Sequence, residues 1–312
     1  MTTLTRQMGN GSRAARRLLV SLLLGACALA CHPGNEEARA FRESCEAGDV
    51  RACGELAARL QAGRYVLRDE PRAASLYERA CNGGIADGCA SLGVMYQRGT
   101  GVSRDSLRAA ALFGQGCDGG AMDGCTRLGV LHQRGLSVPQ DFERAAMLFR
   151  KACDGGDLLG CASLGTLYVL GEGVTGSPEA AADLFQRACN ADVGLGCLGL
   201  GRLHADGRGV PESDSLAMEF YRKACDSRET TGCFHLAISH EAGEGTAQNY
   251  QRAAQLYRQA CEARHGEACY RLSGLYDKGA GVYRQPERAT EFARRACQYG
   301  HAAACPPAAK GS

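Results

Sequence analysis

The sequence predicts an all-α fold, a right-handed αα-superhelix (solenoid) of eight helical-hairpin repeats with one disulfide inside each repeat. Three observations lead to this prediction. Pairs of cysteines eight residues apart recur every 36 residues, and a period of this length is typical of stacked repeat arrays. Two helical stripes of apolar residues recur with the same period. Residues typical of helix starts and helix ends separate these stripes.

The first helix of each repeat, the A helix, ends at the first cysteine of the pair. Its apolar residues are spaced 3, 1, 3 and 1, which is one face of an α-helix. In one repeat they are Ala145, Leu148, Phe149, Ala152 and Cys153. Residue types that favour the helix N-cap precede the A helix in six repeats. These residues are Asp69, Asp105, Asp141, Ser177, Ser213 and Asn249.

Sixteen of the 18 cysteines belong to the repeating pairs. The first members are Cys45, Cys81, Cys117, Cys153, Cys189, Cys225, Cys261 and Cys297, and their partners are Cys53, Cys89, Cys125, Cys161, Cys197, Cys233, Cys269 and Cys305. A straight helix would separate residues eight apart by about 12 Å along its axis, whereas a disulfide requires Cα atoms within about 7 Å. The chain must therefore turn between the two cysteines. In three repeats Asp192, Arg228 and Arg264 replace the last glycine of this turn, so the backbone there must avoid or tolerate a positive φ.

Zinc binding is the alternative use of paired cysteines. A spacing of seven intervening residues fits no zinc finger or ribbon, and no histidine is placed to complete a site. We therefore expect disulfides, with no metal and no cofactor.

The second helix, the B helix, contains the second cysteine of each pair. In one repeat Cys89, Leu92, Gly93 and Tyr96 are spaced 3, 1 and 3, again one face of a helix. Glycine recurs 18 residues after the first cysteine in seven repeats, where it suits the left-handed residue that follows a helix end. These glycines are Gly63, Gly99, Gly135, Gly171, Gly207, Gly243 and Gly279.

The N-terminus has the features of a secretory signal. Four arginines precede an apolar run over residues 18–30, which is too short to span a bilayer. We expect a signal peptide over residues 1–30, a short linker over 31–40, the repeat array over 41–305 and a tail over 306–312. Export also accounts for the cysteines, since disulfides persist outside the cytosol.

The two remaining cysteines, Cys27 and Cys31, are candidate lipidation sites. Both follow small residues that suit a bacterial lipobox, and Ala28-Leu29-Ala30 also suits an ordinary signal peptidase. Cleavage before Cys31 leaves a single unpaired cysteine to carry lipid, whereas cleavage before Cys27 leaves an additional free thiol. This parity favours Cys31. Simple secretion stays the alternative to membrane attachment through a lipid.

The predicted mature chain is close to neutral. Removal of the four leader arginines from the 36 lysines and arginines leaves 32 basic residues against 34 acidic ones. This balance gives no reason to expect a nucleic-acid partner. We expect a monomer whose partner is a protein or a peptide.

The repeated motif resembles a known family. The pattern Ala-x2-Leu-Tyr-x2-Ala-Cys, followed by Cys-x2-Leu-Gly-x2-Tyr-x2-Gly-x-Gly-Val, is almost complete over residues 73–102. It is similar to the Sel1-like repeat, a relative of the tetratricopeptide repeat, and the cysteine spacing resembles the cysteine-rich secreted bacterial (Hcp-type) subfamily. The resemblance implies intra-repeat disulfides and a concave binding surface. It also implies an exported protein- or peptide-binding scaffold or adaptor of the bacterial cell envelope.

An alternative function comes from the names of some cysteine-rich members of the family, namely β-lactam binding or weak β-lactamase-like hydrolysis. None of the four lysines has a serine three residues before it, and Lys-Thr-Gly and Ser-Asp-Asn are absent. We therefore nominate no catalytic residue.

Two further sets of residues, each recurring at one place in the repeat, have two interpretations each. His132, His204 and His240 share a B-helix position with tyrosines, which favours packing over function. Basic residues near the ends of the A helices complement the helix dipole or form a ladder of donors for an acidic ligand. They are Arg79, Lys151, Arg187, Lys223 and Arg295, with Arg150, Arg222, Arg258 and Arg294 one position earlier.

Overall fold

A computed structural model describes residues 33–305 of the chain. These residues form fifteen α-helices and one short 3-10 helix, with no β-strand among them. The helices are α1 (Pro33–Glu46), α2 (Val50–Ala62), α3 (Glu70–Asn82), α4 (Ala86–Arg98), α5 (Ser106–Asp118), α6 (Met122–Arg134), α7 (Phe142–Asp154), α8 (Leu158–Leu170), α9 (Pro178–Cys189), α10 (Gly194–Asp206), α11 (Asp214–Asp226), α12 (Thr230–Ala242), α13 (Tyr250–Glu262), α14 (Gly266–Lys278) and α15 (Pro286–Gln298). The predicted all-α class of repeated hairpins is confirmed.

The helices alternate between A and B types, with A helices at odd numbers and B helices at even numbers. The described chain divides into two compact units, one that ends at Gly124 and one that begins at Cys125. Within each unit, helices that are consecutive along the chain pack against each other. The repeated helical hairpin is therefore the building block of a repeat solenoid.

Disulfides join the two helices of each hairpin. Seven pairs have Cα atoms 4.5–4.8 Å apart, which a straight helix could not provide. They are Cys45–Cys53, Cys81–Cys89, Cys153–Cys161, Cys189–Cys197, Cys225–Cys233, Cys261–Cys269 and Cys297–Cys305. Cys117 and Cys125 are disulfide-bonded as well. The turn between the cysteines keeps a positive φ even without glycine, at 58° for Asp192, 64° for Arg228 and 68° for Arg264.

The ends of the array differ in part from the expectation. Helix α1 begins at Pro33, so residues 33–40, expected to belong to a linker, are helical. Proline suits the first position of a helix, and Ala38 in the second turn of α1 is buried. At the other end a 3-10 helix, Ala302–Ala304, replaces the last B helix. The expected signal peptide, Cys27, Cys31 and the tail over 306–312 lie outside the described residues.

Small residues on the B helices allow the aromatic rings of the A helices to approach closely. A Cβ added at Gly165 would lie 2.8 Å from the ring of Phe185, and one added at Gly201 would lie 2.5 Å from the ring of Tyr221. Both rings are buried. The glycines of the B helices and the aromatic residues of the A helices therefore form the two sides of one contact, between a B helix and the next A helix.

Candidate ligand-binding groove

A groove of about 610 Å³ runs along the B helices α8, α10 and α12 of the second unit. Its floor is apolar and includes Val169 of α8, Leu195 and Leu198 of α10, and Ile238 of α12. Since successive B helices pack side by side, equivalent positions on three helices line one continuous surface. The volume lies in the range of clefts that hold small ligands or a few residues of a peptide.

Gly199 forms an opening in the floor of the groove. A Cβ at this position would lie 2.6 Å from three ring carbons of Phe185. The equivalent position carries Ser163 in α8 and His235 in α12. The absent side chain leaves the buried ring of Phe185 directly beneath the floor of the groove.

Charged side chains of both signs surround the apolar floor. Arg202, Asp206, Arg208, Asp214 and Glu244 line the groove and are exposed to solvent. The Nη2 atom of Arg208 donates a hydrogen bond of 3.0 Å to the backbone carbonyl oxygen of Val169, which fixes this guanidinium beside the floor. An apolar centre with a charged edge is the composition of a protein-interaction surface.

Two polar rings form the wall of the groove, and both are uncharged near neutral pH. His235 stacks on Tyr221 with their ring centroids 5.0 Å apart. Burial, and then the nearby positive charge of Arg202, lower the pKa of His235 to about 4. Burial also raises the pKa of Tyr221 to about 12. The pair therefore offers a ligand flat aromatic surface and hydrogen-bonding atoms without a charge.

Seven consecutive segments of the chain match the family model described as Sel1 repeat. They cover residues 50–85, 86–120, 123–157, 158–193, 194–228, 230–265 and 266–301, most of the chain. The chain belongs to the Sel1 repeat family. Each matched segment contains a B helix followed by the next A helix, so α1 precedes the first Sel1 repeat in this frame. The predicted resemblance is confirmed, and proteins built from Sel1 repeats generally act as protein-interaction scaffolds.

Solved structures of Sel1 repeat proteins show the same fold. One is a protective antigen present in uropathogenic Escherichia coli strains, which displays an SLR fold. It is 27% identical with a TM-score of 0.65, and the match covers 86% of this chain and 57% of that protein. A Sel1 repeat protein from Oxalobacter formigenes is 25% identical with a TM-score of 0.65, and the match covers 86% of this chain and 77% of that one. This chain thus spans little more than half of the E. coli protein. No curated protein matches it.

The cysteines predicted to form disulfides join each A helix to the chain that follows it, at the boundary between matched segments, and none of them lines the groove. Sequence reasoning also missed the residues that do line it. One position that lines the groove carries a different type of side chain in each of three successive B helices, namely Thr166, Arg202 and Ile238. Columns that repeat identify the fold, whereas the groove consists of positions that vary between repeats. Such variation on an exposed helix face is the signal that was available in the sequence.

The B-helix histidines pack inside their own Sel1 repeats. The Nδ1 atom of His132 lies 3.2 Å from the carbonyl oxygen of Pro139, and the Nδ1 atom of His204 lies 2.9 Å from that of Pro211. Each ring therefore holds the loop that follows its B helix. His240 is partly buried, and this burial lowers its pKa. These contacts agree with the packing interpretation.

Several basic residues at the ends of the A helices contact their own chain. The Nη2 atom of Arg79 donates to the carbonyl oxygen of Cys45 at 3.0 Å. The Nζ atom of Lys223 lies 2.9 Å from a carboxylate oxygen of Glu219, and Arg150 donates to a tyrosine hydroxyl. These residues do not form an uninterrupted ladder of free donors.

The part of the chain that the structure describes contains neither a candidate metal site nor a candidate membrane-spanning helix. Residues 33–305 contain no group of three or more His, Cys, Asp or Glu side chains that could hold a metal ion. No helix within these residues combines the length and the apolar content needed to cross a membrane.

Proposed function

We propose that this chain is an exported protein- or peptide-binding scaffold of the bacterial cell envelope, and that the groove along α8, α10 and α12 receives the ligand. The ligand is a peptide segment with apolar side chains that contact Val169, Leu198 and Ile238. The observation that supports this proposal is the apolar floor bordered by exposed charges of both signs. Such a surface provides affinity at its centre and specificity at its edge.

The composition of the groove gives no support to the alternative of β-lactam hydrolysis. The hydroxyl groups that line it belong to Thr166, Tyr221 and Ser239, and no lysine is found among the described residues of its wall. The histidine of the wall, His235, stacks on the Tyr221 ring and forms no hydrogen bond to any of these three hydroxyls within the described residues. A serine hydrolase needs a base beside its nucleophile. We therefore propose binding rather than hydrolysis.

A displayed library of random peptides, selected against the oxidised protein, tests the binding proposal. We expect enrichment of apolar peptides, and one enriched peptide is then measured by calorimetry. Leu170→Glu and Ile238→Glu place a charge in the groove and should weaken binding by at least about tenfold. Leu67→Glu is the matched control, because Leu67 is 84% exposed and lies outside the groove. Equal binding by all three variants would contradict the assignment of the groove.

Export is a separate part of the proposal and has its own test. The described disulfides support an extracytoplasmic location, because the cytosol keeps thiols reduced. Intact mass spectrometry of protein expressed with its own leader should show cleavage before Cys31 and the mass of an attached lipid. A product that retains residues 1–30 would contradict export. A product cleaved before Cys31 without added mass would contradict the lipid attachment but not the export.

A further inference from the structure

A second pocket, of about 590 Å³, surrounds Tyr276 in the second unit. Tyr276 belongs to the B helix α14 and is only 2% exposed. Its hydroxyl oxygen accepts a hydrogen bond from Arg258 of the A helix α13 and another, of 3.3 Å, from Nη1 of Arg288 of the A helix α15. Three consecutive helices thus bring two guanidinium groups to one hydroxyl oxygen.

The described chain supplies no counter-charge to these two arginines. Among residues 33–305, neither Arg258 nor Arg288 has a carboxylate oxygen within 4 Å. Glu291, one turn after Arg288, instead pairs with Arg295. Two positive charges held side by side repel each other, and each guanidinium retains N–H donors that Tyr276 does not use. Both arginine side chains are exposed, so an external group can reach them.

The first unit contains the same arrangement with a carboxylate in place. Tyr96 lies 180 residues, or five repeat periods, before Tyr276. Arg108, which corresponds to Arg288, lies over the Tyr96 ring, with its guanidinium carbon 4.4 Å from the ring centroid. Its Nη2 atom is 2.7 Å from a carboxylate oxygen of Glu78. Glu78 occupies the position that corresponds to Arg258. In the first unit this position carries a carboxylate that neutralises Arg108, whereas beside Tyr276 it carries a second arginine.

A second acidic position changes in the same way. Asp105 caps helix α5 in the first unit, where its carboxylate accepts a hydrogen bond from the backbone N–H of Arg108. Gln285 occupies the corresponding position before α15 and forms no such cap hydrogen bond. The Tyr276 pocket therefore lacks both negative charges that accompany Arg108 in the first unit. An anion bound from solution would replace them.

We propose that the pocket at Tyr276 binds an oxyanion, a carboxylate or a phosphate group, between Arg258 and Arg288. The Tyr276 hydroxyl holds the two guanidinium groups in place, and their free N–H groups donate to the oxygens of the anion. Gln251 and Gln285 line the same pocket and provide neutral donors. This site lies outside the groove, and its existence does not depend on the proposed peptide-binding function.

Titration of the full-length oxidised protein in low-salt buffer tests the site, with inorganic phosphate in one arm and succinate in the other. We expect saturable binding of one anion per chain, measured by NMR or calorimetry. The anion that binds more tightly is the preferred oxyanion. Arg288→Gln should weaken binding by at least about tenfold. Arg258→Glu should do the same, because it reproduces the Glu78–Arg108 pair and fills the site with an internal carboxylate.

Arg187→Gln is the matched control, because Arg187 is an exposed arginine on the A helix α9 and does not line the pocket. It makes the same charge change as Arg288→Gln and should leave binding unchanged. Since Arg288 is exposed, its variant should also keep the wild-type melting temperature. The proposal is wrong if neither anion shows saturable binding to the wild-type protein, or if both arginine variants bind as tightly as the control.

Discussion

The hydroxyl of Thr126 donates a hydrogen bond of 2.6 Å to the Asp157 carboxylate, 31 residues further along the chain. This contact joins the B helix α6 to the residue that caps the next B helix, α8, since the Asp157 carboxylate also accepts from the backbone N–H of Leu159. The same interval separates Phe234 from His265, whose rings stack 4.5 Å apart. Neighbouring repeats thus contact each other through the same pair of positions, by a hydrogen bond in one case and by stacked rings in the other.

We predict that Thr126→Val lowers the free energy of unfolding by about 1–3 kcal/mol. Valine keeps the shape of threonine, but its methyl group leaves the Asp157 carboxylate without the donor that this buried position supplies. Denaturant unfolding followed by circular dichroism measures the change. Thr166→Val is the control, because the Thr166 hydroxyl bonds only to a carbonyl of its own helix. A loss for Thr126→Val no greater than for this control would contradict the role given to the contact.

Gly173→Ala should destabilise the protein more than Gly171→Ala. The two glycines have almost the same positive φ, 67° and 69°, so an alanine costs a similar backbone strain of about 1–2 kcal/mol at each. A Cβ at Gly173 would lie 2.2 Å from the backbone carbonyl of Phe142 in the preceding A helix, whereas Gly171 has open space. We expect an additional loss of about 1–3 kcal/mol at Gly173 from this overlap.

The measurement is the midpoint of denaturant unfolding for each single variant. The difference between the two isolates the contact from the backbone strain, because the strain is common to both. Equal losses would mean that the loop moves away from Phe142 at no cost, and that the second glycine of the loop does not fasten one repeat to the preceding one.

Arg264→Gly should stabilise the protein by about 0.5–1 kcal/mol. Arg264 has a φ of 68°, and a residue with a side chain is strained there while glycine is not. Part of the gain is lost to the greater flexibility of glycine in the unfolded chain. The reverse change at the equivalent turn, Gly156→Ala, meets no atom within 4 Å and should destabilise by a similar amount. Stabilisation by both variants, or by neither, would contradict backbone strain as the cause.

The stability of the protein should fall as the pH drops below about 6.5, in part because of His235. Burial, and then the charges of Arg202 and His265, lower the pKa of folded His235 from 6.5 to about 4, while Asp206 opposes this shift. The unfolded chain therefore binds a proton at this histidine before the folded chain does. The contribution of neutral His235 is complete above pH 6.5 and is lost progressively down to about pH 4, up to about 3 kcal/mol.

Unfolding of the wild type and of His235→Phe at several pH values between 4 and 7 measures this contribution. Phenylalanine retains a ring against Tyr221 but does not titrate, so the variant should show a smaller loss of stability in acid. His240 and His265 also have lowered pKa values, and they retain their share of the pH dependence in both proteins. Parallel curves for the two proteins would exclude His235 as a source.

The sequence by itself determined the repeat, the two helices of each hairpin, their caps and the covalent pairing of cysteines. These features depend on interactions within about one helical turn or one tight turn, as with the N-cap Asp141 and the left-handed Gly171. Such interactions recur in every repeat, so eight copies of the pattern reinforce one another. The sequence predicted the turn at Arg264 but left open whether the backbone there avoids or tolerates a positive φ, and the structure shows a φ of 68°.

Only the tertiary structure decided which non-repeating residues meet. Val169, Arg202 and Ile238 come from three successive repeats and share a groove because the B helices pack side by side. Arg258 belonged to the basic residues near the A-helix ends and Arg288 to no pattern of the sequence, yet both donate to the hydroxyl of Tyr276. The distance between residues in neighbouring repeats depends on how the hairpins stack, and the period of the sequence contains no information about the chemistry of the side chains that this stacking brings together.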